Sequence, residues 1–288
     1  MHKPILSLIL FWDSNSAKRV GSQVILAFLC LLAGCAAPAE RQRGSHPTIV
    51  SLNPCSDAIL AEVTAPGQLL AVSHYSHEPS GTSMPLAEAR RYRATGGTVE
   101  EVLALNPDVV VTSSYLDPAS AQAFRRLGIR VETVGIATSV ANSEAQIRQL
   151  AALAGERERG EALVSRIKHA VASARRSGSP VSTLLWQEGG LVPGPETLVA
   201  QLLANSGFAS QAATRGLGQG AYLPLEAILA DPPKVVIAAG EERMEHHPAL
   251  RHLPGVRYAA IEPNLLYCGG PTIPRLAAKL AALRDAMS

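Results

Sequence analysis

Short β-branched runs alternate with helical stretches along this chain, and prolines and glycines mark the changes. Residues 48–51 (TIVS) have strand composition; Asn53-Pro54 turns the chain, and Ser56 or Asp57 supplies a cap for a helix through Val63. Pro66-Gly67 breaks that helix ahead of a second strand at 69–73 (LLAVS), and 74–85 is a polar loop. Thr98 with Glu101 three residues on forms a capping box, which opens a short helix that Asn106-Pro107 stops. An apolar strand at 109–112 (VVVT), a helix at 119–127 closed by Gly128, and a strand at 129–134 complete the cycle. Strands alternating with helices in this way predict parallel pairing, with helices on both faces of a sheet.

Residues 143–176 break the rhythm. Apolar Leu163, Ile167, Ala170 and Ala174 recur at spacings of four, three and four, so the stretch reads as helix, interrupted at Gly155. A second α/β cycle follows, with strands at 181–186, 235–239 and 258–261, helices at 197–206, 225–229 and 249–253, and a terminal helix at 276–287. The predicted fold class is α/β: two similar lobes with parallel sheets flanked by helices, joined by one long rigid α-helix. Residues 99–108 (VEEVLALNPD) and 225–234 (LEAILADPPK) echo each other. Each sets a glutamate at a helix start, then a proline stop, then a buried strand, as a weak internal repeat would.

The first 47 residues read differently. Lys18 and Arg19 precede a nine-residue apolar run at 24–32 (VILAFLCLL), the length of a signal-peptide core and too short to cross a bilayer as a helix. It ends in Leu32-Ala33-Gly34-Cys35, which resembles the lipobox of bacterial lipoproteins. By that resemblance, residues 1–34 are a removable signal peptide, Cys35 carries the lipid, and 35–47 tether a periplasmic, lipid-anchored protein. An ordinary secretory peptide with a chance cysteine is the plainer alternative. A second apolar patch at 5–12, ahead of the basic residues, points to a translation start further along. The rest divides into an N-terminal lobe at 48–140, linking helices at 141–178 and a C-terminal lobe at 179–288.

Composition narrows the function. Hydrophobic residues make up 47% of the chain, enough for a sizeable core, while net charge is only +2 and aromatics 4%, which argues against a nucleic-acid partner. Of the four cysteines, Cys30 and Cys35 fall in the leader and lipid site, leaving Cys55 and Cys268. That is neither a disulfide scaffold nor a zinc spacing. No nucleophile elbow, zinc triad or adjacent carboxylate pair points to an enzyme, and no resident prosthetic group is expected.

The ordered segments TIVSLNP (48–54), LLAVSHYS (69–76) and TVEEVLALNPDVVV (98–111), with the stretch 194–222 around TLVAQLLANSGF, resemble the periplasmic solute-binding proteins for cobalamin and ferric siderophores. Residues 71–76 are most similar to the cobalamin-binding members, which place an aromatic facing the ligand at the Tyr75 position. The resemblance implies a monomer that captures a metal chelate in an interlobe cleft. The chelate would be a cobalamin-like corrinoid, haem or a ferric siderophore, delivered to the permease dimer and ATPase of an ABC importer. Glu100 and Glu226 match the family carboxylates that dock into arginine pockets on the two importer subunits. Read without the family, both are helix N-terminal carboxylates favoured by the dipole.

His74, Tyr75 and His77 crowd one loop, where Tyr75 is a candidate to stack on a macrocycle and a histidine, His74 or His77, to contact its metal; the plainer reading is a solvated loop. Trp186 at a strand end reads either as a core tryptophan or as a ligand contact, Tyr222 beyond a glycine-rich run is a further ligand-binding candidate, and His246, His247 and His252 read as surface. Cys55 and Cys268 each follow a strand, one in each lobe. Three readings stay open for the pair: a disulfide across the lobes, contact with a soft metal in the ligand, or two inert small hydrophobes. A ligand-sensing or scaffold lipoprotein of the same fold and a chelatase-like enzyme are the competing functions.

Overall fold

A computed structural model describes residues 46–240 and 247–287; Cys35, its leader and His246 lie outside them. The first lobe begins with β1 (Ile49–Ser51), buried along its whole length, followed by α1 (Pro54–Val63). The cap of α1 lies upstream of the expected Ser56 or Asp57. Asn53 has extended backbone, and its Oδ1 accepts the Cys55 N–H at 2.8 Å. The helix therefore starts on a proline whose φ is already helical, and Ser56 and Asp57 fall inside its buried first turn.

The lobe continues through β2 (Leu69–Ser73), α2 (Leu86–Ala89), β3 (Arg93–Thr95), α3 (Val99–Leu105), β4 (Val109–Ser113), α4 (Pro118–Arg126) and β5 (Arg130–Val134). Its sheet has the order β3-β2-β1-β4-β5, all parallel. Thr98 caps α3 by accepting the Glu101 N–H at 3.2 Å, and Asn106 ends it in the left-handed region at φ 52°. The Glu101 carboxylate does not return to Thr98, as a full capping box would. It takes the Thr95 hydroxyl at 2.8 Å and the Gly96 N–H at 2.6 Å instead.

Two helices connect the lobes. α5 (Val140–Ala154) stops at Gly155, whose φ of 77° turns the chain into α6 (Arg157–Ser173). The two helices pack so closely that a Cβ on Gly160 would lie 2.4 Å from that of Ala151. α6 is the joining helix: its 17 residues span about 26 Å, and it packs against both α1 and the C-terminal α11 (Thr272–Asp285).

Between α6 and α11 the second lobe runs β6 (Val181–Gln187), β7 (Leu191–Val192), α7 (Leu198–Asn205), β8 (Phe208–Ser210), α8 (Gln211–Thr214), β9 (Ala221–Tyr222), α9 (Leu225–Ala230), β10 (Val235–Ala239), α10 (Pro248–Arg251) and β11 (Arg257–Ala260). β8, β6, β10 and β11 pair in parallel. The expected all-parallel sheet gains a short antiparallel pair, β7 and β9, because Gly189 and Gly190 at φ 70° and 78° fold the chain back at the end of β6.

One hydrophobic core runs through both lobes, from Ile49 and Ile59 across Ile147 and Ile167 to Leu185, Ile237 and Leu276. Parting the lobes would expose that core to water at roughly 25 cal/mol per Å², so the arrangement favours a preformed cleft over a wide hinge.

Candidate functional site

The two lobes repeat one topology. In each, the first strand of the lobe lies between the second and third parallel strands: β2-β1-β4-β5 in one, β8-β6-β10-β11 in the other. Strand order reverses between β1 and β4, and again between β6 and β10. Loops beyond the carboxyl ends of strands at such a switch point diverge and leave a crevice where ligands bind.

The crevice is present. A depression of about 320 Å³ lies over the β1, β4 and β5 ends, lined by Asn53, Tyr115 and Ile136. A larger one of about 830 Å³ lies over the β10 and β11 ends, with Glu188, Gly240 and Glu262 facing Pro79 and Ser80 of the first lobe. A third, of about 200 Å³, joins Ile136 and Thr138 to Leu191 and Gln219 across the lobes. Tyr267 lines all three, so they form one cleft around its ring.

Disulfide geometry places that ring. Cys55, at the start of α1, is bonded to Cys268, with Cα atoms 5.2 Å apart, and both cysteines line the first-lobe depression. The loop before α11 is therefore tied covalently to the first lobe, next to Tyr267. The adjoining glycines seat it further: a Cβ on Gly270 (φ 65°) would lie 2.8 Å from Ile59, and the Gly270 N–H donates to Ser143 Oγ at 2.7 Å.

A residue-range match and several structural likenesses place this architecture among known proteins. Residues 49–260 match the model of a periplasmic binding protein family. The chain belongs to the periplasmic binding proteins. Its fold is that of RhuT from Roseiflexus sp. RS-1 (TM-score 0.66, 22% identity, 83% of this chain and 97% of that one). It is likewise that of two Vibrio cholerae proteins: HutB (0.67, 19%, 82% and 98%) and BtuF (0.64, 16%, 84% and 97%). No curated protein matches the chain.

Within this binding protein, the sequence candidates separate. Tyr75 sits on the 3₁₀ turn His74–His77 that follows β2, lines the first-lobe depression and is 53% exposed. His74 lies against the Tyr75 ring, centroids 4.0 Å apart, and lines none of the three depressions. His77 is held by backbone, with Nε2 3.1 Å from Ala89 O and 3.2 Å from Tyr92 O. Tyr222 is exposed and pairs across strands with Leu191, which lines the cleft, so both side chains leave the same face. Its ring packs where Gly190 lacks a side chain; a Cβ there would lie 2.6 Å from Tyr222 Cε2.

Trp186 corrects a sequence expectation. It is wholly buried among Leu184, Val192 and Ile228, and its Nε1–H donates to Leu223 O at 2.9 Å. It sits one residue before the end of β6, and strand alternation turns it into the helix-covered layer and away from the cleft. His247 caps α10 through Nδ1, and His252 Nδ1 lies 3.0 Å from Pro248 O, so both serve local structure. Glu100 and Glu226 are exposed in the first turns of α3 and α9, the helices that lead into the equivalent strands β4 and β10. Since strand carboxyl ends face the cleft, both helix starts lie at its rim. The neighbouring Glu101 is exposed too, but its carboxylate is engaged by Thr95 and Gly96.

Four cleft-lining residues went unnoticed in the sequence, and Asp57 has a role other than the expected helix cap. Tyr115 is 79% exposed two residues beyond β4, a position equivalent to that of Tyr75 beyond β2, and the same rule would have found it. Tyr267 had one signal, adjacency to Cys268. Burial and then the nearby Glu188 carboxylate raise its phenol above the usual tyrosine value, so it stays a neutral hydrogen-bond donor. Glu188 and Glu262 are the charged side chains among the described cleft-lining residues. Asp57, wholly buried, accepts the Ser73 N–H at 2.9 Å and the Ser76 hydroxyl at 2.7 Å, and so pins the turn that carries Tyr75 to α1. Among the described residues, no group of three His, Cys, Asp or Glu side chains could hold a metal ion, and no helix is long and apolar enough to cross a membrane.

Proposed function

We propose that this periplasmic binding protein captures a metal chelate with a broad, flat ring and delivers it to an ABC importer. The carrying observation is the interlobe cleft itself. Tyr75, Tyr115 and Tyr267 line it and Tyr222 stands beside Leu191 at its second-lobe wall, so aromatic rings from both lobes are available to pack against a flat ligand. RhuT and HutB are haem-binding proteins and BtuF a vitamin B12-binding protein, which supports the same ligand class here. His74 steadies the Tyr75 ring in this reading rather than ligating metal.

Delivery uses Glu100 and Glu226. Placed at equivalent positions of the two repeats, their carboxylates suit a permease dimer with a cationic pocket on each subunit, and charge complementarity there sets orientation and on-rate. Cys35 carries the lipid that keeps the protein at the membrane, and the lobes at 48–140 and 179–288 are joined through 141–178. Binding is tested by titrating a chain that starts after Cys35 with haemin and with cyanocobalamin, following the absorbance bands. Saturation at one ligand per chain is expected for at least one of them, and a flat response to both overturns the proposal. Docking is tested with the double change Glu100→Arg and Glu226→Arg. Uptake should be abolished while affinity stays within about twofold of the parent.

A further inference from the structure

The charge inside the cleft carries one step more, resting on the ligand reading just given. Chelates with similar rings differ in their periphery: some bear ionised carboxylates or catecholates, others neutral amides or amines. Glu188 stands at the end of β6 and Glu262 just beyond β11, both on the wall of the largest depression and both exposed to it. Glu262 has a loose partner in Lys279 at 3.7 Å, whereas Glu188 faces the cleft with Tyr267 beside it. None of the described residues lining the three depressions is a lysine, arginine or histidine.

We propose that Glu188, assisted by Glu262, is a specificity-determining residue that selects chelates presenting amide or amine donors and rejects those with an anionic periphery. A carboxylate brought beside Glu188 would meet like charge, with no cation among the described lining residues to balance it, whereas an N–H donor there gains a charge-assisted hydrogen bond. Tyr267 fits the same chemistry. With its phenol held neutral by burial and by Glu188, it offers an O–H donor for a ligand acceptor, and no described cation stands beside it to favour a phenolate.

The test uses one macrocycle in two forms: haemin, and the same iron porphyrin with both propionates converted to primary amides. Cyanocobalamin, whose corrin ring bears amides, serves as a third probe. The wild-type protein is expected to bind the bis-amide at least about tenfold more tightly than haemin. In the Glu188→Gln, Glu262→Gln double variant, haemin should gain affinity and the preference should shrink to about threefold or less. Haemin binding as tightly as its bis-amide in the wild type, or a preference unmoved by the double variant, overturns the assignment and leaves chelate capture standing. Failure of all three probes removes the ligand reading and this inference together.

Discussion

Asp57 is the residue on which the cleft-lining turn depends, and its chemistry makes a prediction about pH. Burial pushes its carboxyl up to about 8, against the opposing contacts of Ser51, Ser76 and Ser73. In the unfolded chain the same group ionises near 4, so between about pH 4 and pH 8 the folded state holds a proton that the unfolded state has released. Stability from this group is therefore complete below pH 4 and is lost as pH rises towards 8. Urea midpoints of the wild type should fall across that window. Those of Asp57→Asn, which keeps an acceptor for Ser73 and Ser76, should fall less, and parallel slopes would sink the assignment. Trp186 makes a second prediction at this scale. Trp186→Phe leaves the Leu223 carbonyl without its donor and is expected to cost ~1–3 kcal/mol in urea denaturation, with ligand affinity unchanged. A loss of affinity without a loss of stability would return Trp186 to the cleft.

Elements were the most legible scale. The apolar runs at 69–73 and 109–112 appear as β2 and β4, and Thr98 and Asn106 cap α3 as their residue types suggest. Leu163, Ile167 and Ala174 are buried as their spacing required. What stayed hidden were strands too short or too polar to carry a pattern, such as β3 (RAT) and the two-residue β7 and β9. These exist because a neighbouring strand edge pairs with them, which is a tertiary cause. The approach of α5 to α6 is equally invisible in one dimension. Gly160 looks like an ordinary helix-weakening glycine, yet it is the point where Ala151 comes closest. Gly160→Ala should thus destabilise by ~1–3 kcal/mol by thermal or urea unfolding, where an uncrowded helix site would gain up to ~1 kcal/mol.

At the scale of the molecule, the Cys55–Cys268 bond closes a loop of 213 residues and ties the segment before α11 to the first lobe. A cross-link of that reach mainly restricts the unfolded chain, and its removal by Cys55→Ser with Cys268→Ser should cost ~2–5 kcal/mol. Thiol titration of unreduced, denatured protein lacking the leader and Cys35 should find no free thiol, and two after reduction; two from the outset would deny the bond. The shared core predicts that the reduced protein still folds as one cooperative unit. The order of α/β elements, the break into two cycles and the repeat around Glu100 and Glu226 could all be read from the chain, because period, capping and composition are local properties. Which aromatics face the cleft, which histidines merely hold backbone, and which cysteine meets which could not. Trp186 and Tyr267 lie at comparable strand and loop ends, but one is packed under helices and the other opens onto the switch-point crevice. That difference comes from how two sheets lie across α6, a packing outcome written in no single stretch of sequence.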